Sequence, residues 1–231
     1  MQDIQRKKLT IIIIAYIIGM TILPIPILLI LRTIFNISIN STNTTVLALI
    51  NFIIYAVLTT FMTFFLRSFL LEEWKNIKHC KKFSKFIILG WLSVLISGAI
   101  GNLLLRLITG ETGTSANQTA IANVLGNYPF LIILPIVIGA PIVEEIVFRF
   151  ATMNLLKTNP AMKILISSLL FGFIHVMAAG DWIFIIPYLA MGIPLGYIYH
   201  KSKNIWTVII IHAINNSIAA SALLLSGILS N

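Results

Sequence analysis

Residues 131–150 read LIILPIVIGAPIVEEIVFRF, an apolar run that carries two adjacent glutamates and an arginine near its end. Extended to residues 128–156, the run can cross a bilayer, because about 20 apolar residues make a spanning helix. Ionisable side chains inside such a helix are costly to bury and mark functional groups by default. The stretch therefore predicts a membrane-spanning helix with a polar site built into it.

The rest of the chain has the same apolar character. Hydrophobic residues make up 58% of the 231 residues and charged residues only 10%, which excludes a water-soluble domain of this size. The single cysteine, Cys80, excludes an internal disulfide. Pro24 and Pro26 predict a kink in the first span. An eighth span arises if the last segment divides at Asn215-Asn216. The segments of spanning length are about 9–31, 46–70, 86–108, 128–156, 161–179, 182–200 and 205–229.

The basic residues predict how these helices are oriented. The formal net charge of +9 reflects a bias of the loops, and it does not indicate a nucleic-acid partner. With a cytoplasmic N-terminus and alternating spans, only Arg32 and Arg106 fall near the outer face, and Arg149 lies within a span. The loop at 72–85 is then cytoplasmic and the loop at about 109–127 is outside. The basic residues on the cytoplasmic side are Arg6, Lys7, Lys8, Arg67, Lys75, Lys78, Lys81, Lys82, Lys85, Lys157, Lys163, Lys201 and Lys203.

The predicted fold class is therefore all-α, a polytopic transmembrane helix bundle of about seven, or eight, spans in a bacterial plasma membrane. Within it, four polar side chains are expected to meet at one depth. Glu144 lies 16 residues before Pro160 and His175 lies 15 after it, so both sit roughly 23 Å from this turn of a helical hairpin. His212 and Asn216 lie roughly 15–21 Å beyond the next turn on the same face.

Helix geometry separates the roles of the two glutamates. Glu145 and Arg149 are four residues apart and can form an ion pair, whereas Glu144 points about 100° away, on the face of Phe148. We expect a structural Glu145–Arg149 pair and a Glu144 that is directed into a cavity. Pro141, which has no N–H, is expected to interrupt the helix just before them, as occurs where a helix lines a wet cavity. Taken singly, each polar residue also fits a packing role; their conjunction favours a site.

At these residues the chain resembles the CAAX prenyl endopeptidase and bacteriocin-processing family of intramembrane proteases, also called the CPBP or Abi family. The family pattern is E-E-x-x-x-R, F-x-x-x-H and H-x-x-x-N or H-x-x-x-D on successive helices. All three motifs are intact and in order here, at Glu144–Arg149, Phe171–His175 and His212–Asn216. Phe150 stands where many members have glycine, and it would narrow the space near its helix. The match makes 125–225 the catalytic core of a single membrane domain, 1–231, with three generic spans in 1–124.

The resemblance also implies roles for individual residues. Glu144 would activate water, His175 and His212 would line the cleavage site, and Asn216 would stabilise the tetrahedral oxyanion. The chemistry agrees, because a carboxylate in a poorly hydrated site is a stronger base, and amide and imidazole groups suit an oxyanion. The supporting residues would be Glu145, Arg149 and Phe171.

The cofactor is left open by the sequence. Glu144, His175 and His212 can also hold Zn²⁺ with one open position, although the chain has no H-E-x-x-H motif. Metal-free catalysis by the glutamate and zinc catalysis both remain hypotheses at this point.

The function indicated is an endopeptidase that cuts a membrane-associated peptide or protein in the lipid bilayer, from the cytoplasmic side. The resemblance points to processing of peptide leaders or pheromones, or to bacteriocin self-immunity. The alternative is a non-proteolytic scaffold or regulator of a partner enzyme, as in lysostaphin-resistance-type relatives. The intact Glu144 and Asn216 favour the protease. A transporter is disfavoured because the sequence has no internal repeat.

Overall fold

The computed structural model describes residues 2–35, 44–78, 82–110 and 113–229, and every regular element within these ranges is a helix. Cys80 lies outside the described residues. A short 3₁₀ turn, Trp182–Phe184, precedes α9. The helices are α1 Gln2–Thr21, α2 Pro24–Phe35, α3 Thr44–Phe65, α4 Arg67–Lys78, α5 Phe83–Thr109, α6 Ala116–Asn127, α7 Pro129–Leu155, α8 Pro160–Val176, α9 Ile185–Ser202 and α10 Ile205–Leu229.

Six helical segments of the described chain are long and apolar enough to cross a membrane: α1 with α2, α3, α5, α7, α9 with its 3₁₀ turn, and α10. The remaining predicted span is α8, an apolar helix of 17 residues. The chain is thus a polytopic helical bundle, as its sequence predicts. The last segment forms one uninterrupted helix, so the division at Asn215-Asn216 does not occur. The predicted kink in the first span is present, because α1 ends at Thr21 and Pro24 begins α2.

The outside of the bundle is apolar, as a lipid-facing surface must be. Ile14 on α1, Ile30 on α2 and Leu107 on α5 are 50%, 55% and 72% exposed. Large aliphatic side chains at such exposure would be unfavourable in water over so wide a surface. In lipid they are matched by their surroundings.

Hydrogen bonds define the two ends of the bundle. At one end, Asn204 in the α9–α10 turn donates through Nδ2 to the Glu73 carbonyl of α4 (2.8 Å), and the Trp206 indole donates to the Leu70 carbonyl (2.9 Å). We call this the basic end, because the cytoplasmic group of lysines and arginines falls in the segments gathered there. At the other end, the Ala116 N–H of α6 donates to Asp181 before α9 (2.8 Å). We call this the α6 end.

Helix α7 departs from regular α-geometry in two places. Residues Pro135–Gly139 and Glu145–Thr152 form π-helical stretches, which lengthen the hydrogen-bonded loop by one residue. The Ala140 N–H accordingly bonds to the Pro135 carbonyl, five residues back. The expectation that Pro141 interrupts the helix was therefore wrong. The π-helical turn accommodates the missing N–H, and the helix continues through it.

Glycines let α8 and α9 approach closely enough to place the site. A Cβ at Gly192 would lie 3.0 Å from the Ser168 Cβ, and one at Gly172 would lie 2.9 Å from Ile185. Small residues at a helix contact favour this kind of packing inside a membrane. The close contact leaves the Gly192 carbonyl within 3.2 Å of Arg149 Nη2, which donates to it.

Candidate active site

One cavity of about 600 Å³ collects the residues that the sequence singled out. It is lined by Glu144 from α7, His175 from α8, and His212 and Asn216 from α10. Phe171, one turn before His175, also lines it. Three helices that are far apart in sequence therefore bring the predicted polar residues to a common space.

The Glu144 carboxylate is 3% exposed, and its two oxygens have different surroundings. Oε1 accepts a hydrogen bond from the Tyr55 hydroxyl of α3 at 3.0 Å. Oε2 lies 4.0 Å from His175 Nε2 and has no hydrogen-bond partner among the described residues. A gap of this size between two polar atoms suits a bridging water. One oxygen is thus anchored, and the other is buried without a hydrogen-bond partner among the described residues.

His175 is held in one orientation by its surroundings. Its Nδ1 lies 2.7 Å from the Phe171 carbonyl. Since a carbonyl only accepts, Nδ1 carries the hydrogen and Nε2 is left as an acceptor that faces Glu144. The ring stacks on Tyr188 of α9, with centroids 4.4 Å apart and planes 27° apart. The imidazole therefore presents a lone pair towards the carboxylate.

The neighbouring Glu145 makes one ion pair and one hydrogen bond. The expected ion pair is present, with Arg149 Nε 3.2 Å from Glu145 Oε2 and both side chains fully buried. The other oxygen, Oε1, accepts from His212 Nδ1 at 2.8 Å. Glu145 therefore does more than pair with the arginine, because it also orients His212 and leaves the Nε2 of that ring unused. The guanidinium also lies 4.6 Å from the centre of the Phe171 ring, a cation–π contact.

Asn216 is bound to the π-helical part of α7. Its Nδ2 donates to the Ile136 carbonyl at 2.9 Å. In the π register the donor to that carbonyl would be residue 141, which is proline and has no N–H. Pro141 thus leaves the Ile136 carbonyl without a backbone donor, and the Asn216 amide donates to it instead. One of the two amide hydrogens remains for the cavity.

Two residues of the site were not identified from the sequence. Tyr55 lies in a span that was expected to be generic, and Tyr188 carries the ring against His175. A signal for Tyr55 was present, because Asn51 and Tyr55 are four residues apart in an apolar helix and share a face. Both line the cavity. Phe150 was expected to narrow the space near its helix, but it stacks on Phe69 at 4.3 Å and does not line the cavity.

The suggested metal ligands do not fit a metal site. Within the described part of the chain, no three histidine, cysteine, aspartate or glutamate side chains come together as a metal site needs. His212 donates to Glu145 through Nδ1, and its free Nε2 does not form a cluster with Glu144 and His175 that could hold a metal ion. We therefore derive no chemical step through a metal ion.

A buried carboxylate, two oriented imidazoles and an amide around one intramembrane cavity form a site capable of acid–base chemistry. Residues 126–218 match the family model described as type II CAAX prenyl endopeptidase Rce1-like. This match and the three motifs together support the assignment of the segment to the CAAX prenyl endopeptidase family.

Three curated bacterial proteins are similar to the chain. "Putative membrane peptidase YdiL" of Bacillus subtilis is 34% identical over 132 residues, or 56% of this chain and 52% of that protein. UPF0177 protein YajF of Lactococcus lactis is 34% identical over 135 residues, or 58% and 60%. Membrane-embedded CAAX protease MroQ of Staphylococcus aureus is 29% identical over 146 residues, or 61% and 59%. The chain thus spans between about half and three fifths of the length of these relatives.

No solved structure matches the chain. The six apolar spans and the bacterial relatives together make it a multi-pass bacterial membrane protein.

Proposed function

We propose that this protein is an intramembrane endopeptidase that uses a glutamate-activated water. The observation that carries the proposal is the 4.0 Å gap between Glu144 Oε2 and His175 Nε2 at the wall of the cavity. Both atoms are acceptors, and a water has two hydrogens to donate. A water in that gap would be held by both hydrogens with its oxygen lone pairs free for attack.

The reaction follows from these positions. Glu144 takes a proton from the water as the water oxygen bonds to the scissile carbonyl carbon, and the carbonyl oxygen becomes an oxyanion. The free amide hydrogen of Asn216, which lines the same cavity, would be a neutral donor for that charge. When the carbon–nitrogen bond breaks, Glu144 returns the proton to the leaving amine. The carboxylate is then ionised again, so no group is consumed.

Two contacts would keep the base and its partner in register. The Tyr55 hydroxyl fixes Glu144 by one oxygen, and the Phe171 carbonyl fixes His175 by Nδ1. Pre-oriented groups lower the barrier because they need no rearrangement as the reaction proceeds. The Glu145–Arg149 pair serves the same purpose for His212.

For the substrate, we propose a membrane-associated peptide or protein, with leader or pheromone processing or bacteriocin self-immunity as its biological setting. The support is the family of residues 126–218 and the name of the relative MroQ, a membrane-embedded CAAX protease. Further support is that α7 and α10, which line the site, are long and apolar enough to cross the bilayer, where such a substrate lies.

The test is peptidomics of membranes from cells that express the wild type or Glu144→Gln. Glutamine keeps the shape of the side chain and the Tyr55 contact but cannot take the proton. We expect uncut peptides to accumulate with this variant. Glu72→Gln, which changes an exposed carboxylate on α4, is the matched control and should leave the peptides as in the wild type. Identical peptides from wild type and Glu144→Gln would refute the proposal.

A further inference from the structure

The cavity occupies only one half of the bundle. On α8 its lining residues are Phe171 and His175, near the end of the helix, and on α9 they begin with Tyr188 in the first turn. On α10 they run from His212 to Leu223. Most of the lining positions lie between the middle of their helix and the α6 end, and His212, the deepest of them on α10, is the eighth of the 25 residues of that helix. Among the described residues, neither α4 nor the turn between α9 and α10 contributes to the lining.

The other half of the bundle is filled with side chains where α7 and α10 meet, and a separate groove of about 220 Å³ lies beside it against Lys8, Phe69 and Phe150. On α7, the residues that follow Glu144 are at most 4% exposed through Arg149. On α10, Ile205, Val208 and Ile211 are fully buried and pack into the same core. Interiors packed in this way have few voids larger than a water molecule. The cavity therefore has its floor at mid-bundle and extends only towards the α6 end.

The mouth of the cavity is uncharged, with polar side chains beside α6 and the exposed, apolar Ala222 and Leu223 on α10. Thr114 and Gln118 are exposed at the α6 end and line the cavity, and Asn117 beside them is half-buried. Deeper in, the amides of Asn51 and Asn215 line it as well. Amide groups offer both donors and acceptors, which match the backbone of an extended peptide. No lysine, arginine or aspartate of the described chain lines this space.

The positions of the lysines and arginines indicate on which side of the membrane the cavity opens. Apart from Arg32, Arg106 and Arg149, every lysine and arginine of the described chain belongs to segments of the basic end. Loops rich in these residues stay in the cytoplasm. The α6 end is then the outer face, and the expectation of cleavage from the cytoplasmic side does not agree with the expected topology.

We infer that the catalytic cavity opens to the extracytoplasmic side and takes an uncharged peptide segment from the outer surface of the membrane. The inference rests on the proposed function for the cleavage itself. Apart from the catalytic Glu144, the described walls of the cavity carry no carboxylate, ammonium or guanidinium group, so a charged residue beside the scissile bond would lose its water without a free partner and is selected against. The substrate class is an exported or membrane-inserted peptide whose cleavage site is neutral and lies on the outer side.

The first experiment locates the mouth without relying on activity. In a Cys80→Ser background, Gln118→Cys is treated in intact cells with a membrane-impermeant maleimide. Ser68→Cys, an exposed position on α4 at the basic end, is the matched control. The labelling of each variant after denaturation serves as the maximum with which its labelling in cells is compared. We expect strong labelling of Gln118→Cys in intact cells and labelling of Ser68→Cys only after the membrane is opened. The reverse pattern, or no labelling of Gln118→Cys in intact cells, overturns the inference.

The second experiment locates the cleavage. A library of acyl-anchored, internally quenched neutral peptides is added to right-side-out and to inverted vesicles that contain the protein. We expect cleavage in the right-side-out vesicles only, at least about ten-fold slower when lysine flanks the cleaved bond, and none with Glu144→Gln. Cleavage confined to inverted vesicles overturns the sidedness and leaves the protease intact. Equal cleavage of the lysine-flanked peptides overturns the neutral substrate class.

The two experiments fail in different ways. If wild type cleaves in neither orientation, the proposed protease function fails, whereas the labelling result still decides where the cavity opens. If Gln118→Cys is labelled from outside and cleavage occurs there, both proposals stand together.

Discussion

The two halves of the bundle are built from the same helices, but the buried carboxylates in them have different partners. In the basic half, Glu145 is fully buried between His212, which donates to Oε1, and Arg149, which forms an ion pair with Oε2 without hydrogen-bond geometry. In the cavity half, the adjacent Glu144 has one oxygen on Tyr55, and the other has neither a hydrogen bond nor an arginine or lysine beside it in the described chain. Two identical side chains, one residue apart, thus differ because a buried cation lies against only one of them.

The largest effect that this contrast predicts is a loss of cleavage when the polar residues that line the cavity are replaced. Alanine at Glu144, His175, His212 or Asn216 should each abolish cleavage, and any pair should lose little more, because residues acting as a unit are strongly non-additive. Cleavage rates in purified membranes, corrected for folded protein, measure this. A scaffold would keep its phenotype in all four single variants, and that outcome would refute the proposed protease function.

The next effect concerns the packed half. Arg149→Ala should destabilise the fold by about 3–5 kcal/mol, because it leaves Glu145 buried without its cation. Thermal unfolding in detergent, followed by size-exclusion chromatography, reports the loss. Arg106→Ala, at an exposed position on α5, serves as the control and should change little. An Arg149→Ala protein as stable as the wild type would mean that the pair is not what holds this half together.

Tyr55 tests how the base is held. Tyr55→Phe removes one hydrogen bond to a carboxylate, a contact whose loss costs about 1.5–3 kcal/mol. If it acts in the transition state, kcat should fall about 10- to 100-fold with little change in KM. Tyr16→Phe is the matched control, since Tyr16 is also buried, yet its hydroxyl has no hydrogen-bond partner among the described residues. Equal activity of the two variants would exclude a positioning role for Tyr55.

The smallest effect lies at the basic end. Glu73 Oε2 accepts from the Ile205 N–H at the start of α10 (3.2 Å), and partial burial raises the pKa of this carboxyl above its usual value. A raised pKa means that the folded state holds the proton more tightly, so this contribution to stability is present at low pH and is lost as pH rises through the folded pKa. Glu73→Gln should remove that slope. The difference in melting temperature between wild type and variant, followed from about pH 4 upwards, measures it. A difference that grows in the opposite direction would contradict the sign.

Most of the fold could be predicted because apolar runs and charged turns are direct consequences of a bilayer. The gathering of Glu144, His175 and His212 also followed from residue counts along helices. That the helix continues through Pro141 could not be predicted, since a π-helical turn depends on contacts that only the folded bundle supplies. Tyr55 was missed for a different reason. A single tyrosine in an apolar helix has no pattern of its own until its partner on another helix is known.

The π-helical stretch Pro135–Gly139 has a consequence for how this sequence tolerates length changes. A π-helical turn holds one residue more than an α-helical turn, so removing one residue from it would let α7 continue as a regular helix with the later residues in nearly their present phase. The same deletion in the regular turn between this stretch and Glu144 would rotate every later residue by about 100°. Glu145 would then arrive near the place that Glu144 now occupies, and Arg149 would move out of its pocket. The π-helical stretch is therefore where this helix can lose a residue and keep its site.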